Sequence, residues 1–262
     1  MSSSGDARRQ RREAALALRA TMSPEAPAPD RFRVATWNLN SLRARLPAVE
    51  RFLERAAPDV LLLQETVARH PIRDEQSSGA FGDEHLDREP RVASCVVDAP
   101  ERSVRFVSVY VPHGRAVDHW HFEYKLAFLD ALAARVRGWL HDGHVVVGGD
   151  VNVAATNSDV FHPDAFDGLT HVTPAERAAL QRLLDTGLVD LDVARWGARA
   201  RRFTWWNHGI GYSRNLGMRI DLLAADSGLA SCLDTTWIDH VERGAQRPSD
   251  HAALIADLRW PD

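Results

Sequence analysis

Carboxylates, amides and one imidazole stand at the ends of apolar runs in this chain. Asn38 follows the run 32–37, Glu65 follows 60–63, and Asp150 with Asn152 follows 145–147. Asp221 lies in the run 220–224, and Asp250 with His251 precedes 252–258. Side chains at strand ends converge on one rim of a layered sheet, where ligands commonly bind. Such a set suits a hard divalent cation, because Mg²⁺ takes oxygen ligands, usually one or two carboxylates completed by water and substrate phosphate. Asp150-Val151-Asn152 has period two, so an extended backbone points both side chains the same way. One can then accept a proton from water while the other orients that water or a phosphate. A second carboxylate, Asp221, would favour the charged form of His251 and aim it at a phosphate oxygen. Taken singly, each has a plainer reading. An Asn after a strand is usually a turn residue, and Asp150 follows two glycines as many turn aspartates do.

The elements that must position these residues alternate in type. Residues 46–57 carry apolar side chains at helical spacing, with Pro47 expected in the first turn, and Pro58 ends that helix. Residues 124–140 form a second amphipathic pattern. Thr173-Pro174-Ala175-Glu176 is a capping box opening a helix to about Thr186. Strands are expected over 32–37, 60–63, 91–97, 104–111, 145–147, 203–206, 220–224, 235–239 and 252–258. Residues 67–90 are polar and read as a long loop. The mixture implies an α/β protein with helices covering sheets.

At 262 residues, 45% hydrophobic and 26% charged, the chain is neither disordered, collagen-like nor a membrane bundle. No stretch approaches the roughly 20 apolar residues that span a bilayer. Two cysteines, Cys95 and Cys232, cannot build a disulfide framework, so a reducing cytoplasm is the expected setting. The net charge is −4, from 36 acidic and 32 basic residues, so phosphate must be met by a local patch or a metal ion. Lys125 is the lone lysine, an imbalance that reads as genomic base bias. Residues 1–30 have arm composition: three serines, the basic run Arg8-Arg9-Gln10-Arg11-Arg12, then Pro24, Pro27 and Pro29. They are expected to be a disordered arm ahead of one catalytic domain, 31–262. A secretory leader is the sharper alternative, but Arg19 cuts its apolar run short.

Six ordered segments carry a resemblance: Ala35-Thr36-Trp37-Asn38-Leu39-Asn40-Ser41-Leu42, Leu63-Gln64-Glu65-Thr66, Tyr110-Val111-Pro112, Gly149-Asp150-Val151-Asn152-Val153, Asn215-Leu216-Gly217-Met218-Arg219-Ile220-Asp221 and Pro248-Ser249-Asp250-His251. Together they resemble the motifs of the exonuclease III and AP endonuclease family, within the endonuclease/exonuclease/phosphatase superfamily. The resemblance implies a DNase I-like four-layer α/β/β/α sandwich of two mixed sheets flanked by helices. It implies a Mg²⁺-dependent nuclease (Mn²⁺ as a substitute), acting as a monomer on double-stranded DNA. The bonds cut would lie 5′ to abasic sites and at 3′ ends. Glu65 matches the main metal ligand, with Asn38 beside it, Asp250 near an alternative metal position, and Asp150 and Asn152 completing the metal-side set. Asp150 matches the residue that activates water, and Asn152 the one that orients it. His251 with Asp221, and Tyr110, match groups at the scissile phosphate, and Asn215 a further phosphate-side amide. Trp205, Met218 and Ile220 fall where the family lines a pocket for a flipped-out abasic sugar; Trp206 is read as core.

One departure stands out. The family fits additional strands between the positions of Glu65 and Tyr110, including a Gly-Val-Ala-Ile-like one, and residues 68–90 offer no candidate. The first sheet is therefore expected to lack strands. Ala154-Ala155 and Asn207-His208 depart from the family's residues near DNA. Two other readings stay open: a catalytically impaired DNA-binding paralogue, and a superfamily phosphatase or phosphodiesterase acting on small phosphoesters.

Overall fold

The computed structural model describes residues 30–66, 81–98 and 103–260. The expected arm lies outside them except for Asp30, as does 67–80 of the expected long loop.

Nearly continuous apolar runs make strands buried on both faces, and alternation then decides which core each side chain enters. In β1 (Arg31–Asn38), Phe32 and Val34 face one core while Ala35 and Trp37 face another. β1 pairs in parallel with β2 (Val60–Gln64) and antiparallel with β11 (Leu254–Arg259), which pairs with β10 (Leu233–Ile238). The second sheet has the order β3 (Val92–Asp98), β4 (Ser103–Tyr110), β5 (His144–Asp150), β9 (Asp221–Asp226), β6 (Leu188–Asp190), with β4 and β5 parallel. Phe32, Val34, Leu62, Phe106, Val146, Leu223 and Leu254 fill the space between the sheets.

Helices close the outer faces. Val49, Phe52 and Ala56 of α1 (Leu42–Ala56) pack on Trp37 and Ile255 of the first sheet. Phe128, Leu129, Leu132 and Val136 of α2 (Trp120–Asp142) cover Val107, Val109, Val145 and Val147 of the second, joined by Leu180 and Leu183 of α3 (Pro174–Leu184). The four layers are thus helix, sheet, sheet, helices, as the resemblance implied.

Several boundaries differ from expectation. α1 begins four residues early, so Pro47 sits inside it rather than in its first turn. The chain enters through left-handed Asn40 and a Ser41 at φ 90°, which extends the helix beyond its apolar periodicity. The expected strand at 203–206 shrinks to β7 (Trp205–Trp206), paired with β8 (Gly217–Met218). Four short helices were not visible in the periodicity: α4 (Leu191–Trp196), α5 (Gly211–Arg214), α6 (Ser227–Ser231) and α7 (His240–Arg243). The capping box of α3 forms as expected, with Thr173 and Glu176 bonding reciprocally.

Among the described residues β2 is the edge of the four-stranded first sheet. That edge is stitched to the second sheet, since Gln64 Nε2 donates to Ser108 Oγ at 3.0 Å and Ser108 Oγ donates to the Leu63 carbonyl at 2.9 Å. Close approach of the sheets requires a small residue in β5: a Cβ at Gly148 would lie 2.7 Å from Leu62 Cδ1 and 3.2 Å from Thr36 Cβ of the first sheet. No helix among the described residues is long and apolar enough to cross a membrane.

Candidate active site

Strand register assembles the rim. β1 aligned with β2 puts Asn38 beside Gln64, and the chain then turns left-handed at Glu65. Tyr110 and Asp150 are register partners across β4 and β5, and Asp150 and Asp221 across β5 and β9. Trp205 bridges to His251, so the β7–β8 ribbon brings the Asp250-His251 segment alongside.

The side chains interlock. Asn38 Nδ2 donates to Glu65 Oε1 at 3.1 Å and to Asp150 Oδ2 at 2.9 Å. His251 Nδ1 lies 2.9 Å from Asp221 Oδ2, and its Nε2 lies 3.6 Å from Asp150 Oδ2. Asp150 Oδ1 accepts from the Asn152 backbone N–H at 2.9 Å. Asp250 accepts from Asn40 Nδ2 at 2.9 Å and from the Trp205 indole at 3.1 Å. Ser249 Oγ accepts from the His251 backbone N–H and donates to the Asn38 carbonyl, tying the two ends of the rim.

Burial and charge set the protonation states. Burial works against the His251 cation, but Asp221, then Asp150, overcome it and carry its pKa up to about 10. Burial first, and Asp221 second, push the Asp150 carboxyl up to about 7, with His251 pulling the other way. Burial, then the Asp150 and Glu65 carboxylates, raise the Tyr110 phenol far above its ordinary value, so it stays a neutral donor. Against burial, the His251 charge and the bonds from Asn40 and Trp205 hold Asp250 below the ordinary carboxylate value. The rim therefore pairs an imidazolium with a carboxylate poised near neutrality.

A metal ion fits this donor set in one form only. Among the described residues no group of three or more His, Cys, Asp or Glu side chains is disposed to hold one, so the full five-residue set Asn38, Glu65, Asp150, Asn152 and Asp250 does not form a protein-made cage. Glu65 and Asp250, however, accept from neutral donors only, Asn38 on Glu65 and Asn40 with Trp205 on Asp250. One or two carboxylates completed by water and phosphate is the way Mg²⁺ is usually bound.

Behind the rim sits a cluster that the sequence reading passed over. The extended backbone expected over Asp150-Val151-Asn152 ends at Asp150: Asn152 is left-handed (φ 53°), its Nδ2 donates to the Val111 carbonyl at 2.9 Å, and its own carbonyl accepts from Lys125 Nζ at 2.7 Å. Lys125 is fully buried and ion-paired with Glu176. Burial, then Lys125 and His113, drive the His171 pKa down to about 3. The signal available was Lys125 itself, a lone lysine on the apolar face of a helix. Asn40 also had one: it repeats the period-two amide pattern of Asp150 and Asn152.

The residues expected to line a pocket do gather. Met218 and Ile220 are buried with Ala154 and Val160, and the half-buried Trp205, Phe166 and Val172 pack on them; the last two were not anticipated. Trp206 is core, 1% exposed. Asn215 is left-handed at the end of α5, and its Oδ1 accepts from the Trp206 indole at 3.2 Å.

Comparison with known proteins gives a consistent picture. The model of the family described as "Endonuclease/Exonuclease/phosphatase family" matches residues 35–251. Exodeoxyribonuclease III of Haemophilus influenzae is 24% identical over 271 residues, covering 87% of this chain and 100% of that protein. Among solved structures, the 3′ phosphatase NExo from Neisseria, bound to a product DNA hairpin, is 29% identical with a TM-score of 0.78, covering 87% of this chain and 100% of that one. An AP endonuclease from Archaeoglobus fulgidus is 26% identical with a TM-score of 0.71, covering 86% and 98%.

Proposed function

The chain belongs to the endonuclease/exonuclease/phosphatase family, and from that premise we propose that it is a Mg²⁺-dependent DNA-repair nuclease. It hydrolyses phosphodiester bonds 5′ to abasic sites and removes nucleotides from 3′ ends. The observation that carries this reading is the His251–Asp221 pair 3.6 Å from Asp150, with Asn38 linking Asp150 to Glu65. Phosphodiester hydrolysis needs an activated water, a cation at the phosphate and help for the leaving oxygen.

Each role has a residue. Asp150 Oδ2 accepts a proton from water; a carboxyl raised to about 7 is well matched to that task near neutral pH. Asn152, one position-pair along, orients the water or the phosphate. The His251 imidazolium and the neutral Tyr110 hydroxyl donate to phosphate oxygens. Glu65, with Asn38 and Asp250, would hold Mg²⁺, which when bound neutralises phosphate charge and stabilises the leaving oxygen. Trp205, with Met218 and Ile220 behind it, gives an apolar wall suited to a sugar without its base, whose extrusion costs least. Asn215 is assigned the role of the further phosphate-side amide.

Likeness to the Neisseria 3′ phosphatase favours a second reading in which a terminal 3′ phosphate is the group removed. A panel decides: a duplex with one abasic analogue, a duplex with a 3′ phosphate, an undamaged recessed 3′ end, and a small phosphoester. The first should be cut fastest. Turnover of the small phosphoester alone would overturn the nuclease reading, and turnover of none would favour the non-catalytic alternative.

A further inference from the structure

Asn152 follows the rim residue Asp150 in a backbone conformation that L residues seldom adopt, with φ 53°, and its side-chain amide donates to the Val111 carbonyl at 2.9 Å. Two buried donors meet on its carbonyl oxygen: Lys125 Nζ at 2.7 Å and His171 Nδ1 at 2.5 Å. Neither donor touches the rim. Lys125 arrives from α2, His171 from the turn before α3, and both are locked from behind. Lys125 Nζ also contacts the His113 carbonyl at 3.3 Å, Thr170 Oγ1 at 3.4 Å and the Glu176 carboxylate. Glu176 in turn accepts from Thr170 Oγ1 at 2.7 Å and from the His171 backbone N–H at 2.8 Å.

The imidazoles form a directed chain. His113 Nδ1 accepts from the Arg115 backbone N–H at 3.1 Å, which places the proton of the neutral ring on Nε2. That Nε2–H points at His171 Nε2, 3.2 Å away, so His171 carries its proton on Nδ1 and donates it to Asn152. Both tautomers are fixed, and the chain starts on the loop that directly follows Tyr110. His171 is itself left-handed (φ 81°), a conformation glycine would adopt more readily. A side chain there therefore works against local backbone preference.

We infer that Lys125 and His171, braced by Glu176 and His113, are positioning residues that clamp the Asn152 carbonyl and so set the Asn152 side chain for water or phosphate. The inference rests on the hydrolytic reading of the rim. The clamp also couples the 111–115 loop to Asn152. A Cβ at Gly114 would lie 2.8 Å from Thr170 Oγ1 and 3.1 Å from Lys125 Cδ, so that loop seats directly on the cluster.

His171→Gly separates positioning from folding, because it removes the donor while suiting the backbone. Relief of the left-handed backbone offsets part of the lost buried contacts, so the variant should stay folded with its unfolding midpoint lowered by no more than a few degrees. On an abasic duplex with Mg²⁺ its kcat should fall about tenfold, with KM within about twofold, as expected when a reacting group is misplaced. Combined with Asn152→Ala it should cause no further fall, since both act through one side chain. Lys125→Met with Glu176→Gln, which removes both buried charges, should behave alike. The Asn152 side-chain amide resonance should shift in His171→Gly whether or not the protein cuts DNA. An unshifted resonance, an unchanged kcat, or an effect additive with Asn152→Ala would overturn the clamp. Inertness of the unaltered protein alongside a shifted resonance would overturn the hydrolytic reading and leave the clamp standing.

Discussion

Asp221→Asn is the perturbation whose effect the structure fixes most closely. The replacement keeps shape but removes the charge 2.9 Å from His251 Nδ1. In the unaltered protein the ring's pKa of about 10 keeps it charged throughout the neutral range. Burial opposes that charge and Asp221 is the foremost influence sustaining it, so without Asp221 the ring's pKa falls toward its ordinary value of 6.5, with Asp150 and Asp250 still supporting the charge. A ring that falls all the way to that value is charged in about one molecule in ten at about pH 7.5. The cleavage rate should drop by up to about tenfold there, roughly 1.4 kcal/mol of transition-state stabilisation, and the deficit relative to the unaltered protein should shrink on acidification toward about pH 6 as the ring regains its proton. Both absolute rates fall over that range as the Asp150 carboxyl, raised to about 7, takes up its own proton. Stability follows the same linkage. A histidine whose pKa is raised on folding contributes fully below its unfolded value and loses that contribution as pH rises through the folded one. The stability gap between the two proteins in EDTA should thus be widest below about pH 6.5 and close toward about pH 10. Cleavage profiles between those limits, with an NMR titration of the imidazole, check both. A variant that cuts within twofold of the unaltered rate at neutral pH, or that keeps His251 charged there, would refute the reasoning.

Other perturbations probe the scaffold. Gly149→Ala forces a Cβ into the Val109 carbonyl, so it should cost about 3 kcal/mol or more or prevent folding, read by denaturant titration. Arg219→Met removes the cation paired with buried Asp159 and half-buried Asp190, each 2.7 Å from the guanidinium, and should cost about 3 kcal/mol. Despite burial, Lys125 holds the Glu176 carboxyl below its ordinary value, so its contribution exists above the unfolded pKa and is lost as pH falls through the folded one. Lys125→Met with Glu176→Gln should therefore flatten the acid limb of a stability–pH curve.

Much of the rim was legible in the sequence because its residues follow apolar runs long enough to be recognised as strands. Asn38, Glu65 and Asp150 sit where those runs end, and His251 where one begins. The pairing of Asp150 with Asp221 was not legible as geometry, since it depends on the β5–β9 register and no local pattern encodes a register between distant strands. Short elements were missed for a different reason. β6 and β8 have three and two residues, too few to show a period, and tertiary hydrogen bonds such as those from the Phe161 N–H to the Gly217 carbonyl and from the Thr204 N–H to the Met218 carbonyl fix β8 instead. Pro47 misled because a proline in a helix is usually read as a start, whereas here it is accommodated inside α1. The abundance of arginine fits base bias, which leaves unexplained why the single lysine lies fully buried against Glu176.

The account stands or falls on whether this rim breaks a DNA backbone through Asp150. Single-turnover cleavage of a duplex carrying one abasic analogue should yield a nick immediately 5′ to the lesion with Mg²⁺ and none with EDTA. Asp150→Asn should lose the activity while folding normally. An uncut duplex under the unaltered protein with Mg²⁺, or equal nicking by Asp150→Asn, would contradict it.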